Sequence, residues 1–154
     1  MRPRATFGIA ERTDAETLAA IDAGSPTPWP IAAFVAELSR EPPSLFTLRM
    51  DGEAVAFSVI RVQPPEMDIV NMAVAPGKRR QGFGRTLMNA VLEYAAAQAV
   101  EAVFLEVRAG HSAALGLYRS VGFQETQRRH AFYKNPVEDA VLMRRSIAAA
   151  ANRD

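Results

Sequence analysis

The stretch Asp68-Ile69-Val70-Asn71-Met72-Ala73-Val74-Ala75-Pro76 runs into Gly77-Lys78-Arg79-Arg80-Gln81-Gly82-Phe83-Gly84-Arg85 and then Thr86-Leu87-Met88-Asn89-Ala90-Val91-Leu92. The first block is apolar and bounded by a proline, which predicts a buried strand. The last block places Leu87, Met88, Val91, Leu92 and then Ala95 at helical spacing, which predicts an amphipathic helix. Between them lies a loop with two glycines one residue apart among cationic side chains. Strand, glycine loop and helix point backbone N–H groups toward a phosphate, and the helix N-terminus adds the favourable end of its dipole. For most matches to a bare Gly-X-Gly, an ordinary strand-to-helix turn on a solvated basic surface is the better reading. The loop also lacks the Lys-Ser/Thr ending of a P-loop and the third glycine of a dinucleotide fingerprint.

Composition bounds what such a loop could serve. The chain has 154 residues, 49% hydrophobic and 23% charged, as expected of one soluble globular domain spanning 1–154, with a core over about 5–146 and a tail from 147. Basic and acidic residues nearly balance, 18 against 17, so the basic residues matter locally and no direct nucleic-acid partner is expected. The absence of cysteine excludes a disulfide framework, a thiol nucleophile and a Cys-ligated zinc. Two histidines far apart in sequence argue against a metal site, and none is expected. No apolar run approaches the roughly 20 residues of a membrane span. The first residues are not followed by an apolar signal core. A cytoplasmic protein without membrane partners is expected.

The remaining elements follow from periodicity and punctuation. Thr6 to Ala10 reads as a first strand. Thr13-Asp14-Ala15-Glu16 reads as a capping box with Thr13 as N-cap, opening a helix that buries Leu18 and Ile21 and ends near Ala23. Three prolines between Pro26 and Pro30 separate it from a second helix, with Ile31, Phe34, Val35 and Leu38 on one face. Leu45–Met50 and Glu53–Val62 form a hairpin around Asp51-Gly52, the preferred pair for a tight primed turn. Gln63 to Glu66 is a loop into the central strand. Ala102–Val107 is another strand, apolar on both faces. His111 or Ser112 opens a helix closed by Gly122. Phe123–Arg129 and Asp139–Arg145 are the closing strands, joined by a loop containing Tyr133 and Pro136. The order β-α-α-β-β-β-α-β-α-β-β predicts an α/β (α+β) fold, a mixed sheet of about six or seven strands with flanking helices.

Several residues could carry chemistry. Glu106 stands in an otherwise apolar run. It is either a strand-end carboxylate reaching water or pairing with Arg108, or a general base whose partial burial raises its pKa. Tyr118 on the following helix is either a core-to-surface aromatic or a proton donor to a leaving thiolate. Arg79, Arg80 and Arg85 are solvated charges or phosphate ligands. His111 is a helix cap, an exposed loop residue or a cofactor contact. Trp29, Phe132 and Tyr133 are core plugs or walls of a substrate pocket.

The segment Arg79-Arg80-Gln81-Gly82-Phe83-Gly84 resembles the pyrophosphate loop of the GNAT family of acetyl-CoA-dependent acyltransferases. Leu105-Glu106-Val107-Arg108-Ala109 and Ala113 to Phe123 resemble the second half of its RimI-type members, bacterial transferases that acetylate the N-terminal alanine of a small-subunit ribosomal protein. The resemblance extends through Asn71 to Val74, Arg128-Arg129 and Glu138 to Met143, with Pro28-Trp29 a further landmark. It implies the GNAT fold, acetyl-CoA as co-substrate and a protein N-terminus as acceptor. It also implies residue roles. Met72, Ala73 and Val74 would contact the pantetheine arm, and Arg79, Arg80, Gln81, Gly82, Phe83, Gly84 and Arg85 would hold the pyrophosphate. Glu106 would be the base and Tyr118 the acid. Trp29, Phe132 and Tyr133 would line the acceptor pocket, and His111 stands where the family usually has a cofactor-contacting Asn. Phe132-Tyr133 replaces a usual Tyr-Tyr pair. Transfer would be direct, with a backbone N–H near Met72 steadying the oxyanion. A GNAT enzyme for a small amine or a lysine, and a non-catalytic acyl-CoA-binding module, are the alternatives.

Overall fold

The computed structural model describes residues 5–148. Ile147 and Ala148 are irregular, and the rest of the expected tail lies outside the described residues. The strands are β1 (Ala5–Ile9), β2 (Leu45–Met50), β3 (Glu53–Gln63), β4 (Glu66–Val74), β5 (Ala102–Arg108), β6 (Gln124–Tyr133) and β7 (Glu138–Ser146). The helices are α1 (Ala15–Asp22), α2 (Ile31–Leu38), α3 (Phe83–Ala97) and α4 (Ser112–Ser120), so the observed order is the expected one. The strands form a seven-stranded mixed sheet in the order β1-β2-β3-β4-β5-β7-β6. The chain divides into two compact units, one comprising residues up to Ile60 with Asn71–Ala90, the other Arg61–Val70 with the residues from Val91 onward.

In the first unit, β1 and β2 pair antiparallel from Ala5↔Met50 to Ile9↔Phe46, and β2 pairs antiparallel with β3. Asp51 and Gly52 both take positive φ, 53° and 80°, which is the primed turn that Asp-Gly favours because its twist matches the flanking strands. The core gathers Leu18, Ile21, Phe34, Leu45, Phe57 and Val59, with Trp29 packed against it. Phe34 meets Phe57 edge-on at 5.1 Å, and the tilted ring of Trp29 lies 5.6 Å from Phe34.

Two local expectations are corrected here. The capping box sits earlier than Thr13: a 3-10 turn, Arg12–Asp14, precedes α1, and the Glu11 N–H donates to Asp14 Oδ2 at 2.6 Å. The cause is tertiary. Arg49 of β2 pairs with the buried Asp14 carboxylate and fixes it at the start of the turn. Helix α2 is also rotated from its expected face. Phe34 is buried, but Ile31 and Val35 are exposed. Glu37 is buried instead, accepting a hydrogen bond from Ser44 Oγ at 2.7 Å. A buried carboxylate is tolerable when such a donor is supplied.

In the second unit, β4 and β5 run parallel from Glu66↔Ala102 to Ile69↔Leu105. Strand β7 lies antiparallel to both β5 and β6. Helix α4 is closed after its C-cap Val121 by Gly122, whose φ of 102° suits the left-handed residue that stops a helix. Strand β6 extends beyond the expected Arg129, so Phe132 and Tyr133 belong to a strand and not to the loop.

Candidate active site

The turn after β4 belongs to the first unit. Pro76–Lys78 forms a 3-10 turn, and α3 begins at Phe83. Arg80 and Gly82 have left-handed φ values of 63° and 84°. Gly82 is needed for that conformation and not for space, since an added Cβ would meet nothing within 4 Å. The Thr86 N–H donates to Gly82 C=O at 3.0 Å. Amides ahead of it, those of Phe83 and Gly84, therefore have no carbonyl acceptor within the helix. The Phe83 side chain is buried, so this residue can offer a ligand only its backbone. Arg79 Nε donates to Val74 C=O at 3.2 Å and Gln81 Nε2 to Gly77 C=O at 3.3 Å, bracing the turn from inside. Helix-start amides without an intrahelical acceptor, set among arginines, suit a pyrophosphate.

The end of β4 is less open than the resemblance implies. Met72, Ala73 and Val74 are partly buried. The Met72 N–H donates to Asn71 Oδ1 at 2.8 Å, so the amide expected to face the cofactor or the oxyanion already has a partner. Asn71 Nδ2 lies 3.4 Å from Oδ2 of the buried Asp22, which also accepts the Trp29 N–H at 2.8 Å. Sequence reasoning missed Asn71 and Asp22 as a pair, because nothing local links positions so far apart.

The residues expected to handle protons belong to the second unit. Glu106 on β5 is exposed between the buried Leu105 and Val107, the water-reaching alternative and not the partly buried one. Strand alternation explains it, for one face of β5 reaches solvent at this point. Glu106 does not pair with Arg108, which instead binds Glu138 Oε1 at 3.3 Å and covers the Tyr133 ring at 4.3 Å. What Glu106 does meet is the Tyr133 hydroxyl, which donates to its Oε1 at 3.3 Å. Burial, then the charge of Glu106 and the hydrogen bond to it, push the Tyr133 phenol up to about 12. A phenol held protonated beside a carboxylate orients that carboxylate.

Tyr118 lies on α4, its ring 6.0 Å from Phe123. Burial pushes its phenol up to about 12, away from the match with a thiol near 8.5 that a proton donor would want. His111 caps α4, its Nδ1 accepting the Ala114 N–H at 3.4 Å. Phe132 is exposed and packs edge-on against Tyr133 at 5.2 Å. Trp29 belongs to the first unit, where its ring lies against Phe34. Among the described residues no cluster of His, Asp and Glu is placed to hold a metal, and no helix is long and apolar enough to cross a membrane.

The element order and the glycine turn between β4 and α3 are those that the resemblance implies for an acetyl-CoA-dependent acyltransferase. The chain belongs to the acetyltransferase (GNAT) family, whose model matches residues 13–123, and it is an N-acetyltransferase. It is 36% identical over 147 residues to the N-alpha-acetyltransferase RimI of Mycobacterium tuberculosis, covering 91% of each chain. The crystal structure of the ribosomal-protein-S18-alanine N-acetyltransferase from Escherichia coli is similar with a TM-score of 0.86 and 31% identity, over 98% of this chain and 99% of that one. Ard1 from Thermoplasma volcanium is similar with a TM-score of 0.85 and 27% identity, over 94% of this chain and 98% of that one.

Proposed function

We propose that this N-acetyltransferase acts on the α-amino group of a protein N-terminus, with the N-terminal alanine of ribosomal protein bS18 as its acceptor. The observation that carries the acceptor is the near full-length likeness to N-alpha- and bS18-alanine acetyltransferases. The Glu106–Tyr133 pair supports the chemistry. Acetyl-CoA supplies the activated acetyl group and its thiol leaving group. The Arg79–Arg85 turn holds its diphosphate through backbone amides and guanidinium groups.

Glu106 takes the proton from the attacking amine, and its exposure lets that proton pass on to solvent. An α-ammonium near pKa 7.7–8.0 suits this exposed base better than lysine near 10.4, whose deprotonation at neutral pH costs about 3 kcal/mol more. Tyr118 gives the leaving thiolate a hydrogen bond. Outright proton transfer from a phenol near 12 to a thiolate near 8.5 would be uphill by about 5 kcal/mol. A ribosomal acceptor places the enzyme in the cytoplasm.

Mass spectrometry of short peptides with acetyl-CoA tests the acceptor. A peptide carrying the bS18 N-terminus should be modified in preference to the same peptide blocked at its N-terminus and given a lysine. Preference for the blocked peptide or for a free small amine would remove the N-terminal assignment.

A further inference from the structure

Between the pairs Arg129↔Ala140 and Tyr133↔Glu138, β6 carries His130, Ala131 and Phe132 opposite the single residue Asp139 of β7. This excess is a β-bulge, and bulges re-aim the side chains that follow them. Its central residue, Ala131, has φ 50°, a left-handed conformation that a side-chain-bearing residue adopts only when held there. Asp139 does the holding. Its Oδ1 accepts the Ala131 N–H at 2.9 Å and lies 3.1 Å from His130 Nδ1. Its backbone carbonyl accepts the Ala109 N–H at 3.0 Å, so the same residue ties the bulge to the end of β5. Immediately beyond the bulge stands Tyr133, clamped between Arg108 and Glu106.

We propose that Asp139 is a positioning residue for the base: by holding the Ala131 bulge it sets the Tyr133 hydroxyl on Glu106, and so acts on turnover and not on cofactor binding. The inference rests on the reading of Glu106 as the base. Asp139 itself bonds to backbone and to His130, and its effect reaches the chemistry only through Tyr133.

The test is a double-mutant cycle on the full chain, reading kcat and KM for the bS18 N-terminal peptide and Kd for acetyl-CoA. Asp139→Ala and Tyr133→Phe should each lower kcat by about tenfold, the size expected when a hydrogen bond to a charged group is lost. The double variant should be no slower than the worse single one, because both remove the same contact. Acetyl-CoA Kd should stay unchanged. Ala131→Gly in the Asp139→Ala background should restore kcat, since glycine takes the left-handed conformation unaided. Tyrosinate absorbance should show the Tyr133 phenol of Asp139→Ala moving from about 12 back toward 10. If Asp139→Ala does not fold, Asp139→Thr carries the same cycle, a strand-compatible side chain without the carboxylate.

Losses that multiply in the double variant, or a weakened acetyl-CoA Kd, overturn the role of Asp139. Full activity in Glu106→Gln is a different failure, because it removes the base itself and with it the premise.

Discussion

The turn at Arg79–Arg85 and the Glu106–Tyr133 pair are built by different physics. In the turn, consecutive residues create the geometry. Its bracing bonds join neighbours in sequence, Arg79 to Val74, Gln81 to Gly77 and Thr86 to Gly82, and residue type at Gly82 sets the backbone. In the pair, the partners stand 27 residues apart, and their meeting depends on the register of β7 and on a bulge in β6. A short-range device of the first kind withstands distant changes. A long-range device of the second kind inherits every irregularity between its partners. Changes in the turn should therefore alter cofactor affinity, and changes around the pair should alter turnover.

The largest expected effect comes from the pair. Glu106→Gln keeps shape and removes the proton acceptor, and kcat should fall by about 10²- to 10⁴-fold while acetyl-CoA Kd holds. Loss of affinity equal to the loss of rate would erase the distinction between the two regions. Tyr118→Phe should be milder, lowering kcat by roughly 10- to 100-fold, the value of a hydrogen bond to a charged leaving group. The same variant has a signature in stability. The folded phenol titrates near 12 and the unfolded one near 10, so below pH 10 the two states bind that proton equally. As pH rises from 10 toward 12 the unfolded chain ionises first, and stability drains away. Denaturant midpoints should fall less steeply over this window in Tyr118→Phe. An identical slope would mean that burial does not govern this phenol.

The same contrast explains what was legible in the sequence. Element order could be read because apolar periods and Gly/Pro breakers are local signals, as at Asp51-Gly52 and Gly122. The turn after β4 was legible for the same reason. The failures at Asp14, Glu37 and Tyr133 involve a partner elsewhere in the chain. Thr13 and Glu16 satisfy the capping pattern, yet Arg49 captures Asp14 and moves the box. Val35 fits the apolar stripe of α2, yet Ser44 makes Glu37 the residue that goes in. Tyr133 reads as loop because three residues of β6 face one of β7, which no period in the sequence announces. Glu106 and Arg108 do share a strand face by alternation. That signal pointed to each other, whereas the structure gives them Tyr133 and Glu138.

In the turn itself, Gly82→Ala should weaken acetyl-CoA binding by roughly tenfold, because the left-handed conformation costs about 1–2 kcal/mol once a Cβ is present. Gly77→Ala is the matched control, since that glycine has open space and no left-handed φ. Calorimetry on both separates backbone conformation from simple bulk. Equal losses in the two variants would mean that Gly82 is not selected for its φ.

The smallest effect should come from Asn71, and it bears on whether β4 offers its amide as the family resemblance implies. In the structure that amide, Met72 N–H, is held by the Asn71 carboxamide, which is in turn tied to Asp22. If cofactor binding uses the Met72 N–H, the Asn71 bond must first be exchanged, and a net hydrogen bond is worth about 0.5–1.5 kcal/mol. Asn71→Ala removes the competitor in advance. Acetyl-CoA should then bind more tightly by a factor of roughly two to ten, offset in part by any loosening of β4 once the link to Asp22 is gone. The measurement is acetyl-CoA Kd beside a thermal melt, so that loosening and exchange are read separately. Unchanged or weaker binding in a variant that melts like the parent would mean that the Met72 amide stays with its own strand and that the cofactor is held without it.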